Sequence, residues 1–313
     1  MKSAVLFLVF NRPDTTRQVF DVIRAAKPPR FYVVADGPRL NNIGDTDRCE
    51  QVRKIVTEVD WSCEFKTLFR NENKGCKYGV SEGINWFFEN EEEGIIIEDD
   101  VLPLLSFFQY CDELLERYRN NTDIASISGS NFISKNFKPK ESYFFSKYTH
   151  IWGWATWRRV WQNYDVNMKA WPEWFDKGGL ALLSEGNESF ENYWKCIFNN
   201  EYGVSTWDYQ WLFTCWFYGM SSIIPVNNLT HNLGFMHEEA VHTKHDKPKY
   251  IKESIPVALT FPLLHPINIK LSLKAEKLMN RNFFGSSKKS DLLRSLNKIP
   301  LFKFLINTAF RGI

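Results

Sequence analysis

The first hundred residues alternate short apolar runs with segments of helical periodicity. Ala4 to Phe10 is a continuous apolar run, typical of a strand buried on both faces, and residues 14–27 carry apolar side chains at helical spacing. Further strands are predicted at 31–35, 65–69 and 95–97, and further helices at 47–59 and 78–89. Because parallel strands are joined by right-handed helical crossovers, this order predicts an α/β, Rossmann-like fold with a mainly parallel, mixed sheet flanked by helices.

The rest of the chain is less regular and much richer in tryptophan. The pattern predicts helices at 107–119, 155–163, 190–200 and 209–218, and strands at 124–128 and 143–145. Ten of the twelve tryptophans lie between Trp152 and Trp216. We therefore predict one catalytic domain over residues 1–264, divided into a nucleotide-binding half (1–131) and a Trp-rich acceptor half (132–264).

Residues 265–313 are predicted to form a helical tail. Positions 288–313 carry six basic side chains and one acidic side chain, and their leucine, isoleucine and phenylalanine residues recur on one helical face. Such a basic amphipathic helix is suited to an anionic membrane surface. A helix that packs on the catalytic domain is the alternative.

Composition and spacing exclude several classes of protein. Lys and Arg number 39 against 37 Asp and Glu, so no global field indicates nucleic acid as a partner. The chain contains neither a GxxxxGK[ST] loop nor a GxGxxG turn after the first strand, which argues against P-loop NTPases and dinucleotide-dependent dehydrogenases. No apolar stretch reaches about 18 residues. The six cysteines form no CxxC pair, and we expect a cytoplasmic protein.

An acidic triplet follows the predicted strand at 95–97. Glu98, Asp99 and Asp100 stand where ligands of parallel sheets bind, beyond the carboxyl end of a strand. Several carboxylates together are costly to bury without a cation. A hard divalent ion held by one or two carboxylates and by substrate phosphates is the usual resolution, and a salt-bridged loop is the alternative.

Polar residues also follow the first two strands. Asn11 and Arg12 end the first strand, and Asp36 ends the second. Each alone is typical of a cap or a surface ion pair. Because these strand ends share one edge of the sheet, we expect the three residues to lie beside the acidic triplet, where they suit an anion and a hydrogen-bonding base.

Two features of the second half are candidates for chemistry. Asp208 stands between Trp207 and Tyr209, where partial burial would suit a general base, although it could instead cap the helix that begins near Tyr209. The histidines at 231, 237, 242 and 245 match no zinc template. His242 could complete a metal or pyrophosphate site by folding back over the pocket, the alternative being an exposed loop.

These residues together resemble a known family, the inverting glycosyltransferases of the GT-A fold, and most closely the N-acetylglucosaminyltransferase I-like group with its bacterial relatives. The resemblance spans about residues 4–245. It rests on Leu8-Val9-Phe10-Asn11-Arg12, Val33-Val34-Ala35-Asp36, Glu98-Asp99-Asp100, Ser128-Gly129-Ser130-Asn131, Trp152-Gly153-Trp154 and the Trp207-Asp208 pair.

The resemblance implies a role for each residue at the strand ends. Arg12 would contact the nucleotide, and Asp36 would read uracil. Asp100 would ligate Mn²⁺ or Mg²⁺, while Asp99 and Glu98 would face the ribose and the donor sugar. Asp208 would be the catalytic base.

The remaining predicted contacts surround these groups. Asn11, Lys77 and Trp154 are predicted to contact the nucleotide sugar, and His242 to join the metal site. Trp152, Gly153 and Trp207 are predicted to wall the acceptor or donor sugar, although most of the ten tryptophans are expected to be ordinary core.

The function that the resemblance implies is metal-dependent, inverting transfer of a hexosyl or N-acetylhexosaminyl group from a UDP-sugar. The acceptor would be a glycan or a lipid-linked saccharide of bacterial surface polysaccharide synthesis, and the enzyme would act in the cytoplasm or at the inner face of the membrane. A non-catalytic carbohydrate-binding protein and a sugar-nucleotide pyrophosphorylase are the alternatives.

Overall fold

A computed structural model describes residues 1–201, 203, 205–235 and 248–284. Its strands are β1 Ala4–Val9, β2 Arg30–Ala35, β3 Glu64–Phe69, β4 Glu93–Glu98, β5 Val101–Pro103, β6 Ile124–Ser128, β7 Tyr143–Ser146, β8 Trp154–Trp157, β9 Ser221–Pro225 and β10 Thr230–Asn232. Its helices are α1 Pro13–Ala26, α2 Asp45–Val56, α3 Gly75–Asn90, α4 Leu105–Tyr118, α5 Arg158–Trp161, α6 Trp171–Asp176, α7 Gly179–Ser184, α8 Glu188–Phe198, α9 Asp208–Phe217, α10 Lys249–Lys252 and α11 Leu273–Phe284.

Within the described residues, an eight-stranded sheet has the order β3-β2-β1-β4-β8-β6-β9-β7. The first four strands of that order pair in parallel, as do β6 and β9, whereas β8 and β7 run against their neighbours. Strand β5 leaves this sheet and pairs with β10 in a separate two-stranded ribbon. The predicted mixed, mainly parallel α/β fold is confirmed.

The first half of the chain forms the elements that its pattern predicts. Every residue of β1 is buried, and successive side chains of a strand point to opposite faces, so helices must cover both faces of the sheet here. Proline at the first position of α1 fixes the backbone for the helix start, and Lys27 ends that helix in the left-handed conformation.

The predicted helix at 155–163 is wrong. Residues 154–157 instead form β8, which lies between β4 and β6 with Ala155 opposite both Ile95 and Ile127. The Thr156 hydroxyl donates to the carbonyl of Ala125 at 2.6 Å. Aromatic and β-branched side chains suit such a doubly covered strand, and only the turn at 158–161 is helical. The sequence did not predict strands β5, β9 and β10 or helices α6, α7 and α10.

Two apolar clusters form the core. The first lies around the sheet and includes β1, β2, β4 and β8. The second, which we call the aromatic cluster, is built from Trp171, Trp174, Phe190, Trp194, Phe198, Phe213, Trp216 and their apolar neighbours. Helix α11 packs into the aromatic cluster through Ala275 and Met279, which are fully buried.

The predicted tail is therefore partly described. Residues 265–284 pack on the domain, through α11 and through His265, whose Nε2 lies 3.1 Å from Glu113 Oε1. Positions 285–313, which carry the basic amphipathic pattern, lie outside the described residues, and the domain boundary at 264 stays a prediction. No helix in the described part of the chain is long and apolar enough to cross a membrane.

Candidate functional site

A cleft of about 530 Å³ opens at the carboxyl ends of β1, β2 and β4. Its volume lies in the range of pockets that bind small molecules or cofactors. The polar residues of its lining include Arg12, Asp36, Arg39, Asn73, Glu98, Asp99, Asp100, Thr206, Asp208 and Asn232. Five carboxylates thus face two guanidinium groups among the described lining residues. This excess of negative charge is unusual for a partly enclosed site.

The acidic triplet continues directly from β4. Glu98 is the last residue of the strand and lies opposite Leu8 of β1. The backbone N–H of Phe10 donates to Asp99 Oδ2 at 3.0 Å, so Asp99 is tied to the end of β1. Burial, and then the charges of Asp100 and Asp99, raise the pKa of Glu98 well above its ordinary value.

Arg12 lies against the triplet. Its Nη1 donates to Asp100 Oδ2 at 2.8 Å and lies 3.6 Å from Asp99 Oδ1. Burial by itself would lower the pKa of Arg12, but the carboxylates of Asp99 and Asp100 raise it above the ordinary value. The turn between β1 and α1 thus places a fixed cation beside the carboxylates that follow β4, as the sequence predicts.

The donor set fits a hard divalent cation only in part. In the ranges that the structure describes, no group of three or more His, Cys, Asp or Glu side chains is arranged to hold a metal ion. Asp100 is nevertheless closely enclosed, because a Cβ built on Gly234 would lie 2.2 Å from its Oδ2. A metal here would need oxygen ligands from a bound phosphate, as Mg²⁺ sites commonly do. His242 lies outside the described residues.

Asp36 lines the cleft and also holds the loop before α3. Its carboxylate accepts the backbone N–H groups of Gly37, Lys74 and Gly75 at 3.0–3.1 Å, and Asn73 Nδ2 at 3.1 Å. Burial raises the pKa of Asp36, although these hydrogen bonds oppose the rise. The same carboxylate therefore positions this loop. Recognition of the uracil base by Asp36 stays a prediction.

Asn11 lies behind the cleft instead of lining it. Its side chain is buried and donates from Nδ2 to Asp45 Oδ1 at 2.9 Å. Asp45 also accepts from Arg39 Nε at 2.6 Å, and hydrogen bonding to Arg39 holds the pKa of Asp45 well below its usual range. Arg39 itself lines the cleft, 5.3 Å from the ring of Phe10. Sequence reasoning missed Arg39, although it follows the Asp36-Gly37-Pro38 turn.

Two other predicted contacts do not line the cleft. Trp154 is fully buried, and its ring stacks on Trp207 at 5.6 Å and lies 5.2 Å from Trp211. The structure therefore corrects the prediction that the Trp154 side chain binds the nucleotide sugar, because β8 directs it into the core. Lys77 is on α3, with Nζ 5.6 Å from the ring of Tyr78.

The predicted walls of the sugar site differ in exposure. Trp152 is half-buried and lines the cleft. Trp207 also lines it but is only 1% exposed. Gly153 has φ 66°, the left-handed region that favours glycine, and its carbonyl accepts the N–H of Gly129 at 2.7 Å. Of the ten clustered tryptophans, all of which are described, Trp152 alone is not buried.

Asp208 reaches the same cleft from the other half of the chain. It is the first residue of α9, after an N-cap at Trp207, so the capping alternative does not describe its place. The hydroxyl of Thr206 donates to Asp208 Oδ1. Its charge also contributes to the raised pKa of Glu98, which lies 110 positions earlier in the sequence.

Comparison with known proteins identifies no family. No protein-family model matches the sequence, and no curated protein matches it. Among solved structures, the chain is similar to HddC from Yersinia pseudotuberculosis, at 9% identity and TM-score 0.32, over 52% of this chain and 80% of that one. It is also similar to mouse xyloside xylosyltransferase 1 in its apo form, at 10% identity and TM-score 0.32, over 69% of this chain and 81% of that one. Similarity at this level assigns neither a family nor an activity to the chain.

Proposed function

We propose that this protein is a metal-dependent, inverting glycosyltransferase that uses a UDP-sugar. One observation carries the proposal. Arg12, Asp36, the triplet at 98–100 and Asp208 come from distant parts of the sequence and line a single cleft. The motif order of GT-A glycosyltransferases, which the sequence resembles, gives these positions nucleotide, metal and base roles.

The proposal assigns the acidic end of the cleft to the donor diphosphate. Asp100 would hold Mn²⁺ or Mg²⁺ together with diphosphate oxygens, while Asp99 and Glu98 would face the ribose and the donor sugar. Such an ion would act as a Lewis acid that neutralises charge on the departing UDP. Arg12, which pairs with Asp100, would bind the same anion as a fixed cation.

Asp208 would act as the general base. Its carboxylate takes the proton of the acceptor hydroxyl while that oxygen bonds to the anomeric carbon of the donor sugar. The bond between the anomeric carbon and the phosphate oxygen breaks, and UDP leaves with the electron pair. Because the acceptor attacks from the face opposite UDP, this single displacement inverts the configuration.

The alternatives lack a specific observation in their favour. A non-catalytic carbohydrate-binding protein was suggested by the tryptophans, but nine of the ten clustered tryptophans are buried. A pyrophosphorylase would normally carry a glycine-rich loop after the first strand, where this chain has Asn11-Arg12-Pro13-Asp14.

For the acceptor we propose a glycan or lipid-linked saccharide. The basic residues of 288–313 support contact with an anionic membrane that carries such an acceptor. Flotation with anionic vesicles should exceed flotation with neutral ones, and a full-length variant with Lys288, Lys289 and Arg294 changed to glutamate should lose the difference. Equal flotation of both proteins would contradict the membrane contact.

Calorimetric titration tests the donor site first. UDP, GDP and CMP are each titrated into the full chain, once with Mn²⁺ and once with a chelator. We expect UDP to bind, and only with metal. Absence of binding for all three nucleotides under both conditions would refute the proposal.

A further inference from the structure

A second cavity of about 270 Å³ lies beside the cleft and plays no part in the proposed donor chemistry. We call it the side pocket. Its walls include Phe132, Trp152, His231, Asn232, Lys252 and Ile255. The volume falls just under the ~300 Å³ at which pockets for drug-sized ligands begin, so the side pocket suits one small ring.

The side pocket and the cleft share two walls. Trp152 and Asn232 line both cavities. The Trp152 ring meets Phe132 edge to face at 5.0 Å and Phe235 at 5.7 Å, which holds it between the two spaces. A ligand in the side pocket would therefore lie across one indole from a ligand in the cleft.

The floor of the side pocket is fixed by buried hydrogen bonds. Asn228 Nδ2 donates to the carbonyls of Thr230 and Ser254 at 2.8 and 2.6 Å, and its Oδ1 accepts the N–H of Asn131 at 3.2 Å. These bonds connect β10 to the segment that follows α10, and residues 228–232 and 251–256 supply most of the walls. The pocket is thus a formed feature of the fold, which reduces the cost of ordering a ligand.

The chemistry of the walls suits a saccharide. Phe132 and Trp152 are half-buried aromatic rings that can cover an apolar face of a ring-shaped ligand. His231 and Lys252 lie at the same pocket and can hydrogen-bond hydroxyl groups. A pyranose has both an apolar C–H face and a rim of hydroxyls.

We propose that the side pocket binds one monosaccharide unit of the acceptor and presents its hydroxyl to the cleft past Trp152. The role of this saccharide as the acceptor rests on the proposed function. Saccharide binding in the side pocket can nevertheless be tested without any transfer reaction. Substitution at the pocket mouth should weaken saccharide binding and leave nucleotide binding unchanged.

The test compares two exposed positions on one segment of chain. Ile255 lines the side pocket and is 70% exposed, so Ile255→Trp fills its mouth without disturbing the core. Val257, two residues later and 51% exposed, is outside the pocket lining and gives the matched control Val257→Trp. Saturation-transfer NMR uses the methyl glycosides of β-glucose, β-galactose, α-mannose and N-acetyl-β-glucosamine, with UDP and diamagnetic Mg²⁺ present.

We expect at least one glycoside to bind the wild type and Val257→Trp, and to bind Ile255→Trp at least tenfold more weakly. UDP affinity should be the same in all three proteins. Failure of every glycoside to bind, or unchanged binding by Ile255→Trp, would overturn the proposal, as would a parallel loss of UDP binding in that variant. If glycosides bind but UDP does not bind even the wild type, the side pocket stands and the transferase proposal falls.

Discussion

The cleft and the aromatic cluster are made from opposite kinds of residue. The cleft gathers four carboxylates, Arg12 and Arg39 near the ends of buried strands, and a fifth carboxylate, Asp208, at the start of α9. The aromatic cluster packs tryptophan and phenylalanine rings against one another, as with Trp171 and Phe198 at 4.6 Å and Trp194 and Trp216 at 5.1 Å. Packing explains the second arrangement, whereas packing alone would never favour the first.

The aromatic cluster is unusual in its amino-acid composition, whereas the cleft is unusual in the free-energy cost of burying several carboxylates together. Tryptophan is the most unusual feature of the composition, but most of the clustered tryptophan rings are buried and pack against other apolar side chains. The carboxylates are fewer, and burial together with the charges of Asp100 and Asp99 raises the pKa of Glu98, so the cleft opposes the ionisation of that side chain. A costly arrangement indicates a ligand that relieves the cost, so we locate the chemistry in the cleft.

The largest expected effect is on turnover, and it should follow substitution in the cleft but not substitution beside the aromatic cluster. Asp208→Asn keeps the shape of the side chain but removes the base, so turnover should fall about 10²- to 10⁴-fold. UDP binding should be unchanged, because the assigned metal and nucleotide contacts are elsewhere. The control is Asp176→Asn at an exposed position of α6, outside the cleft lining. Turnover of Asp208→Asn equal to that of the control would exclude Asp208 from the mechanism.

The next effect separates the cleft wall from the core around the sheet by stability. Trp154→Ala removes a fully buried ring next to Trp207 and Trp211, and should lower the free energy of unfolding by ~3–5 kcal/mol. Trp152→Ala removes a half-buried ring from the cleft wall and should cost substantially less. Urea unfolding of both variants provides the measurement. Equal losses would mean that Trp152 is as much a core residue as Trp154.

The sequence predicted the cleft better than its surroundings. Strong strand and helix periodicity in residues 1–131 put Arg12, Asp36 and the acidic triplet at one sheet edge, because strand ends in a parallel sheet share an edge. Asp208 joined them only through a family resemblance. No local pattern could show that α9 begins at this cleft, since that depends on how the second half packs.

The errors came from tertiary context. The segment at 154–157 is short and apolar except for Thr156, and such a run does not distinguish a strand from a helix; pairing with β4 and β6 makes it a strand. Because 154–157 form a strand between two others, the Trp154 side chain points into the core. Asn11 stands one residue before Arg12, yet its side chain hydrogen-bonds to buried Asp45. Asp45 lies 34 positions away in the sequence, and a strand pattern does not reveal such a partner.

A third prediction concerns the pH dependence of stability at His150, which lies between the side pocket and α11. Burial of His150 lowers its pKa to about 3, and its ring lies 4.7 Å from Phe132 and 6.0 Å from Phe283. Below pH 6.5 the unfolded chain takes up this proton while the folded protein does not, so stability falls as pH drops from 6.5 towards 3. At pH 5 the loss from this group is about 2 kcal/mol.

His150→Phe should remove that part of the pH dependence. The difference in unfolding free energy between the variant and the wild type is measured by urea denaturation at pH 7.5 and pH 5. We expect it to move in favour of the variant by about 2 kcal/mol on acidification. A difference that is the same at both pH values would show that His150 is equally protonated in the folded and unfolded states.

The smallest effect concerns how Asp208 is held in the cleft. Thr206 is 7% exposed, and its hydroxyl donates to Asp208 Oδ1 while lying 3.8 Å from Cys76 Sγ. A hydrogen bond to a carboxylate favours its charged form and fixes its orientation. Thr206→Val should therefore reduce kcat about tenfold and move the acidic limb of the kcat profile to higher pH.

Two variants separate positioning from packing. Thr206→Ser keeps the hydroxyl and should restore both the rate and the pH profile, whereas the control Asp176→Asn, outside the cleft lining, should change neither. A merely structural role for Thr206 would lower kcat without moving the acidic limb. That result would show that the hydrogen bond from Thr206 does not set the ionisation of Asp208, and the place of Asp208 at the start of α9 would then account for its position in the cleft.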